Sequence, residues 1–263
     1  MSVWIVIILG IVEGLTEFLP VSSTGHLILV GHALHFTGEK ATSFEIAIQL
    51  GSILSVMVYF RRRLWQLVSG LANSPASRRL AAALAIAFIP AAILGLSLHK
   101  SIKAHLFGPI PVASALIVGG VVILLVEHRL RKPTTEGLHQ IHLQQALWVG
   151  LAQCVSLFPG VSRSGATIIG GLLTGMNRTT ATEFSFLLAL PTMLAATGYE
   201  IVKSYNILLQ EDPLLLPLGL VVSFITGLAV VAGLLAFVRS HTFKPFAYYR
   251  IALGVIILAM TAG

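Results

Sequence analysis

The sequence predicts an all-α integral membrane protein, an inverted repeat of about six transmembrane helices plus two re-entrant helical hairpins that meet near the midplane. Three observations predict it. Of 263 residues, 56% are hydrophobic and only 10% are charged, against about 25% charged in a soluble domain, so polar surface is too scarce to cover a water-soluble globule. Several apolar runs reach the length of about twenty residues that a helix needs to span a bilayer. Two more apolar stretches are broken in the middle by Pro and Gly, and each break is followed by a cluster of hydroxyls.

Helix is the only open-chain structure that satisfies its own backbone in lipid. The runs 44–60, 80–98, 110–127, 183–202, 214–238 and 246–262 are therefore read as spans. The stretches 3–35 and 143–176 break at Leu19-Pro20 and at Pro159-Gly160 and are read as hairpins. Arg61, Arg62, Arg63, Arg78 and Arg79 mark the loop after the first span as cytoplasmic. Counting crossings puts the loop 128–142 (Arg129, Arg131, Lys132) and the loop with Arg239 and Lys244 on the same side. The loop 203–213, with Lys203, Glu211 and Asp212, falls outside. The loop with Lys100 and Lys103 runs against the rule, being basic yet placed outside. The count closes only if 143–182 enters and leaves on one side, and the N-terminal hairpin then enters from the other.

That opposition points to a repeat. A shift of 140 residues aligns "GIVEGLTEFLPVSSTG" (10–25) with "GLAQCVSLFPGVSRSG" (150–165) without a gap. Gly10, Phe18, Val21, Ser22 and Gly25 meet Gly150, Phe158, Val161, Ser162 and Gly165, while Glu13 meets Gln153 and Thr24 meets Ser164. The chain is expected to be one membrane domain, 1–263, with halves of about 1–131 and 143–263 joined by "KPTTEGLHQIH" (132–142). The formal charge of +7 reads as topology and contact with anionic lipid, not as nucleic-acid binding. A single cysteine, Cys154, excludes an intrachain disulfide and a cysteine-based metal cluster. A signal peptide is not expected, because Glu13 and Glu17 sit where a small-residue cleavage site would be. Trp4, Trp65 and Trp148 are read as interface anchors.

Glu13 and Glu17 are four residues apart, hence on one helix face. Each ionisable group near a bilayer centre costs about 2.5–3.5 kcal/mol on the insertion scale, so the two glutamates and Arg163 need a function or partners. In "PGVSRSGAT" the serines Ser162 and Ser164 flank Arg163 just past a Pro-Gly break, and Gly165 and Thr167 follow in a new helix. Free amides at a helix start, hydroxyls and a guanidinium make a cradle for a tetrahedral anion, and Arg grips phosphate bidentately. In the first hairpin Ser22, Ser23, Thr24 and His26 supply hydroxyls and an imidazole for transfer. Carboxylates beside phosphate imply a divalent cation, Mg²⁺ or Ca²⁺, held by Glu13 and Glu17, or else protonation. The implied chemistry is phosphoester or pyrophosphate hydrolysis on a lipid. Gln49 is a candidate for the site wall, whereas His32, His35, His99, His105, His128, His139, His142 and His241 lie on borders and are read as interfacial.

At these residues the sequence resembles the undecaprenyl-pyrophosphate phosphatase family, also called the bacitracin-resistance family. Its E-x-x-x-E segment running into S-S-T-G-H is present as Glu13, Glu17, Ser22, Ser23, Thr24, Gly25 and His26. Its P-G-x-S-R-S-x-x-T is present as Pro159, Gly160, Ser162, Arg163, Ser164 and Thr167. The resemblance implies a multi-pass enzyme of the bacterial inner membrane with a site open to the periplasm. It would hydrolyse undecaprenyl pyrophosphate to the monophosphate carrier of peptidoglycan synthesis, and bacitracin would compete for that substrate. It implies that Arg163 binds phosphate, that Glu13 and Glu17 act with the cation, and that His26 and one serine, Ser23 first among them, perform the displacement. The residues leave the attacking group open between Ser23, His26 and water; attack by Ser23 is favoured, with His26 as base and Glu17 as the other candidate for that role. Ser22, Thr24, Ser162, Ser164, Gly165 and Thr167 complete the phosphate site, and a homodimer is compatible with the reading. Type-2 phosphatidic acid phosphatases share a Ser-Gly-His segment but need a histidine six residues after the arginine, where this chain has Ile169. The alternative from another class is a flippase for polyprenyl phosphate, since an inverted repeat with charged midplane hairpins is a transporter's architecture.

Overall fold

The computed structural model describes residues 2–105, 108–205 and 213–262. The described residues form eleven α-helices: α1 Val3–Thr16, α2 Ser23–Ala33, α3 Glu39–Tyr59, α4 Arg61–Ser69, α5 Pro75–His105, α6 Pro109–Arg129, α7 Leu143–Val155, α8 Arg163–Leu173, α9 Arg178–Lys203, α10 Leu215–Phe237 and α11 Lys244–Ala262. Six of them, α3, α5, α6, α9, α10 and α11, are long and apolar enough to cross a bilayer, so the chain is a multi-pass membrane protein. The side chains of Lys100 and Lys103, of His99 and His105, and the acidic pair Glu211 and Asp212 lie outside the described residues.

Three of the spans, α3, α5 and α9, start about a turn before their apolar runs do. Hydropathy marks where lipid begins, whereas a helix starts where its first amides find acceptors. In α9 that acceptor is the Asn177 side chain, which takes the Thr180 N–H at 2.7 Å. The basic stretch after the first span, expected to be loop, is the helix α4. Leu64 and Leu67 pack on the core while Trp65 and Val68 stay exposed among the arginines.

Neither α1 nor α7 reaches the length of a span. Each is followed by a break, 17–22 or 156–162, and then by an 11-residue helix. The 140-residue offset recurs in the helix boundaries, because α2 and α8 begin at Ser23 and Arg163, and α5 and α10 at Pro75 and Leu215. Packing partners are exchanged accordingly: α1 lies against α10, and α7 against α5, the counterpart of α10. Across the halves, α3 packs on α9 and α6 on α11. The largest core cluster gathers Phe184, Phe186, Leu187 and Leu188 of α9 with Ile168 of α8, Val149 of α7 and Phe18 from the first break. Between α3 and α10 the seam is made of small residues: the Ser52 and Ser223 hydroxyls bond at 2.8 Å, and a Cβ on Gly51 would stand 2.3 Å from the Leu220 carbonyl oxygen. Such seams let backbones approach where lipid offers no hydrophobic drive. At the far end of α6, the buried Glu127 takes Nε and Nη2 of Arg178 and the Phe243 N–H, tying α6 to the starts of α9 and α11.

Both breaks are held from α11 by one side chain. Arg250 is 1% exposed and gives all its donors to backbone carbonyls. Nη1 donates to Pro20 O (3.1 Å) and Val161 O (2.9 Å), Nη2 to Gly160 O (3.0 Å) and Ala115 O (3.2 Å), and Nε to Leu116 O (3.3 Å). Gly160 must be glycine here, since φ is +92° and a Cβ would lie 2.6 Å from the Val112 carbonyl oxygen of α6. A buried carbonyl left without a donor costs about 1–3 kcal/mol. Arg250→Leu strips donors from both breaks and should cost on the order of 3–5 kcal/mol. Arg250→Lys, with three donors at a point, should restore less than half of that. Thermal unfolding in detergent checks it, with a fall on the order of 10 °C expected for Arg250→Leu.

Candidate active site

Where α1 gives way, Glu17 caps its last turn and the chain bends through Phe18 to Val21 before α2 starts. The residues preceding α2 and α8 adopt the same unusual backbone: Ser22 has φ 73° and ψ 99°, and Ser162 has φ 74° and ψ 117°. A non-glycine residue in such a region costs of order 1–3 kcal/mol and marks functional sites. The strain orients each hydroxyl as a helix cap, Ser22 Oγ accepting the Gly25 N–H (3.4 Å) and Ser162 Oγ the Gly165 N–H (3.1 Å). The amides of the first two residues of each helix have no intrahelical acceptor. Two helix N-termini, each with donors of this kind, therefore meet at the breaks.

The predicted residues are brought together across those breaks. Ser23 Oγ donates to Glu17 Oε2 at 2.6 Å, and Arg163 Nη2 donates to Glu17 Oε1 at 3.4 Å. Arg163 also reaches the Ser185 carbonyl of α9 at 3.3 Å, and its guanidinium carbon stands 5.8 Å from the centre of the Phe18 ring. A hydroxyl, a carboxylate and a guanidinium thus form one connected chain from both hairpins. Ser164 spends its proton on the Leu19 carbonyl (2.9 Å), so the Ser162 hydroxyl at 3.0 Å donates to it, another link between the breaks. Thr167 pairs with Ser185 at 2.6 Å and fixes α8 on α9. Thr24 is half-buried beside them.

His26 sits apart from that chain. Its Nδ1 lies 2.7 Å from the Ser22 carbonyl oxygen, one turn back, and its Nε2 lies 2.6 Å from the Tyr249 hydroxyl of α11. The imidazole is pulled onto its own helix and onto α11, so Ser23 hydrogen-bonds Glu17 and not His26. Gln49 accepts from Thr197 at 3.3 Å, joining α3 to α9.

Buried polar atoms without a partner are few, and most are at this place. Among the described residues they are both carboxylate oxygens of Glu13, Nε of Arg163 and Nε2 of Gln153. Native proteins leave such groups unpaired where something else is to bind them. Glu13 is fully buried, and the charges of Glu17, Glu45 and Arg163 reach it through space. Glu13 and Glu17 offer oxygen donors that suit a hard divalent cation. Among the described residues no third His, Cys, Asp or Glu joins them in a ligand cluster. Such a pair fits Mg²⁺, which takes one or two carboxylates and completes its shell with water and substrate phosphates.

Sequence reasoning missed Arg250 and Tyr249. Both lie in a run that reads as an ordinary span, 246–262, and the only signal was a lone arginine, the fifth residue of that run.

Residues 6–256 match the family described as bacitracin resistance protein BacA. The chain is 51% identical over 262 residues to an undecaprenyl-diphosphatase of Ectopseudomonas mendocina, covering 98% of this chain and 95% of that one. It is 53% identical over 252 residues to an undecaprenyl-diphosphatase of Nitrosospira multiformis, covering 96% and 92%. One from Cupriavidus metallidurans is 50% identical over 272 aligned positions, covering 96% and 93%. With both motifs in place at the meeting of the two breaks, and with the match running nearly end to end, the chain belongs to the BacA, or undecaprenyl-diphosphatase, family.

Proposed function

We propose that this chain is an undecaprenyl-diphosphatase, releasing inorganic phosphate from undecaprenyl pyrophosphate and leaving the monophosphate. The observation that carries the reading is the Arg163–Glu17–Ser23 chain, which joins a forked cation, a base and a hydroxyl. The relatives' name supplies the substrate, and the six apolar helices give a prenyl tail a bilayer to lie in. We read residues 1–263 as one membrane domain whose halves are an inverted repeat, the hairpins entering from opposite faces and meeting near the midplane. Matching helix boundaries, matching backbones at Ser22 and Ser162 and the exchanged packing support this. In a bacterium the enzyme would sit in the inner membrane, open to the periplasm, recycling carrier lipid and giving resistance to bacitracin.

The mechanism follows from the donors. Arg163 takes the terminal phosphate through its fork, exchanging two long bonds to separate partners for a bidentate pair. Ser22 and the amides at the starts of α2 and α8 receive the remaining oxygens. Ser23 Oγ attacks the terminal phosphorus while its proton passes to Glu17 Oε2, its present partner, so Glu17 takes the role of base that the sequence alone left between His26 and Glu17. The bond from that phosphorus to the bridging oxygen breaks and the lipid monophosphate leaves with the electron pair. Water then cleaves the phosphoserine, returning a proton to Ser23. Glu13 and Glu17 would hold the divalent cation, which supplies charge neutralisation of the pyrophosphate when bound.

Removing one donor to a developing charge costs about 10²–10³ in turnover. Arg163→Ala should lose at least that in a phosphate-release assay while eluting as a folded protein, and Arg163→Lys should recover little because a point charge lacks the fork. Near-normal turnover in Arg163→Ala removes the clamp from the mechanism.

Excess EDTA should stop turnover, and added Mg²⁺ should restore it. Glu13→Gln should raise the metal concentration for half activity. Activity unchanged by chelation assigns the carboxylates to proton transfer alone.

Ser23→Ala should lose more turnover than Ser22→Ala, and rapid quench should trap phosphate on Ser23. Phosphate on His26 in the quench, with Ser23→Ala still active, makes the imidazole the nucleophile. Inversion at a chiral thiophosphate leaves water as the attacking group.

A further inference from the structure

Tyr249 belongs to none of the motifs, yet it is the residue that touches His26. The Ser22 carbonyl can only accept a hydrogen bond, so Nδ1 of His26, 2.7 Å away, carries the proton. In the neutral ring Nε2 is then a bare lone pair, and the Tyr249 hydroxyl at 2.6 Å donates to it. The two rings are nearly parallel, 5° apart with centroids separated by 5.5 Å, so the tyrosine fixes the plane of the imidazole as well as its tautomer. The backbone that carries the anchor is tied to the site, because its chain neighbour Arg250 is bound to carbonyls of both breaks. The adjacent residues of α11 therefore divide the work: Arg250 holds the backbone of the breaks and Tyr249 holds the one imidazole at their edge.

We propose that Tyr249 is a positioning residue of the phosphatase site, holding the imidazole of His26 in a single orientation with Nε2 unprotonated. The proposal rests on the phosphatase reading for its kinetic consequence, but the link between the two side chains can be measured without it. Tyr249 acts through His26, whose Nδ1–H holds the Ser22 carbonyl beside the attacking Ser23, and it touches no reacting atom.

Tyr249→Phe keeps the stacked ring and removes only the hydroxyl, so it tests the hydrogen bond without opening a cavity. Turnover should fall about tenfold, the scale at which orienting partners act, with KM for the lipid pyrophosphate changed less than twofold. In the His26→Ala background the same substitution should have no further effect, since the tyrosine works only through the imidazole. On histidine-labelled protein, the Nε2 nitrogen signal that His26→Ala deletes should move in Tyr249→Phe to the position of an imine nitrogen without a hydrogen bond. A structural role alone would lower Tm and folded yield and leave that signal in place. Unchanged turnover and an unmoved signal in Tyr249→Phe overturn the proposal, as does a loss fully additive with His26→Ala. If the wild type releases no phosphate, the functional reading fails, and the nitrogen signal still decides whether Tyr249 sets the state of His26.

Discussion

Breaking a helix inside lipid frees carbonyl groups that water cannot reach, and each costs several kcal/mol if left alone. This chain breaks two helices side by side, and the fork of Arg250 answers for both. Among the described residues its guanidinium pairs with no carboxylate, and the compensation comes from carbonyl dipoles, whose negative ends converge on it from Pro20, Gly160, Val161, Ala115 and Leu116. Arginine suits the place because five donors in a plane can meet carbonyls on three separate segments. The breaks are then free to turn their amides and hydroxyls toward each other.

The two buried arginines show what separates a strut from a site. Arg250 has every donor committed at 2.9–3.3 Å. Arg163 holds its partners at 3.3 and 3.4 Å and leaves Nε with none. Across from it the oxygens of Glu13 are equally unpaired. Burying opposite charges without joining them is costly, and the structure bears that cost at the place where the family motifs converge. A pyrophosphate with its cation would satisfy both ends at once.

The repeat explains how such a site can arise. Offset by 140 residues, Ser22 and Ser162 keep one backbone and one capping role, whereas their neighbours differ in chemistry: Ser23 stands against Arg163, Glu13 against Gln153 and Glu17 against Leu157. One half brings the carboxylates and the Ser23 hydroxyl, and the other brings the guanidinium. A shared scaffold with unlike side chains makes an asymmetric site at the junction.

The sequence by itself determined the helical spans, the two breaks, the repeat and the Glu13, Glu17, Ser23 and Arg163 set, because each is a local property. Apolar length, a Pro or Gly at a break, and charge where lipid penalises it are all readable along the chain. The same logic missed α4, whose arginines looked like loop although Leu64 and Leu67 recur at helical spacing. Only the tertiary structure decided which partner each polar group takes. Ser23 meets Glu17 and not His26, because the imidazole is drawn to the Ser22 carbonyl and to Tyr249, 223 residues away. Arg250 was invisible for the same reason: its five acceptors are backbone carbonyls on three distant segments, and a carbonyl has no signature in the sequence.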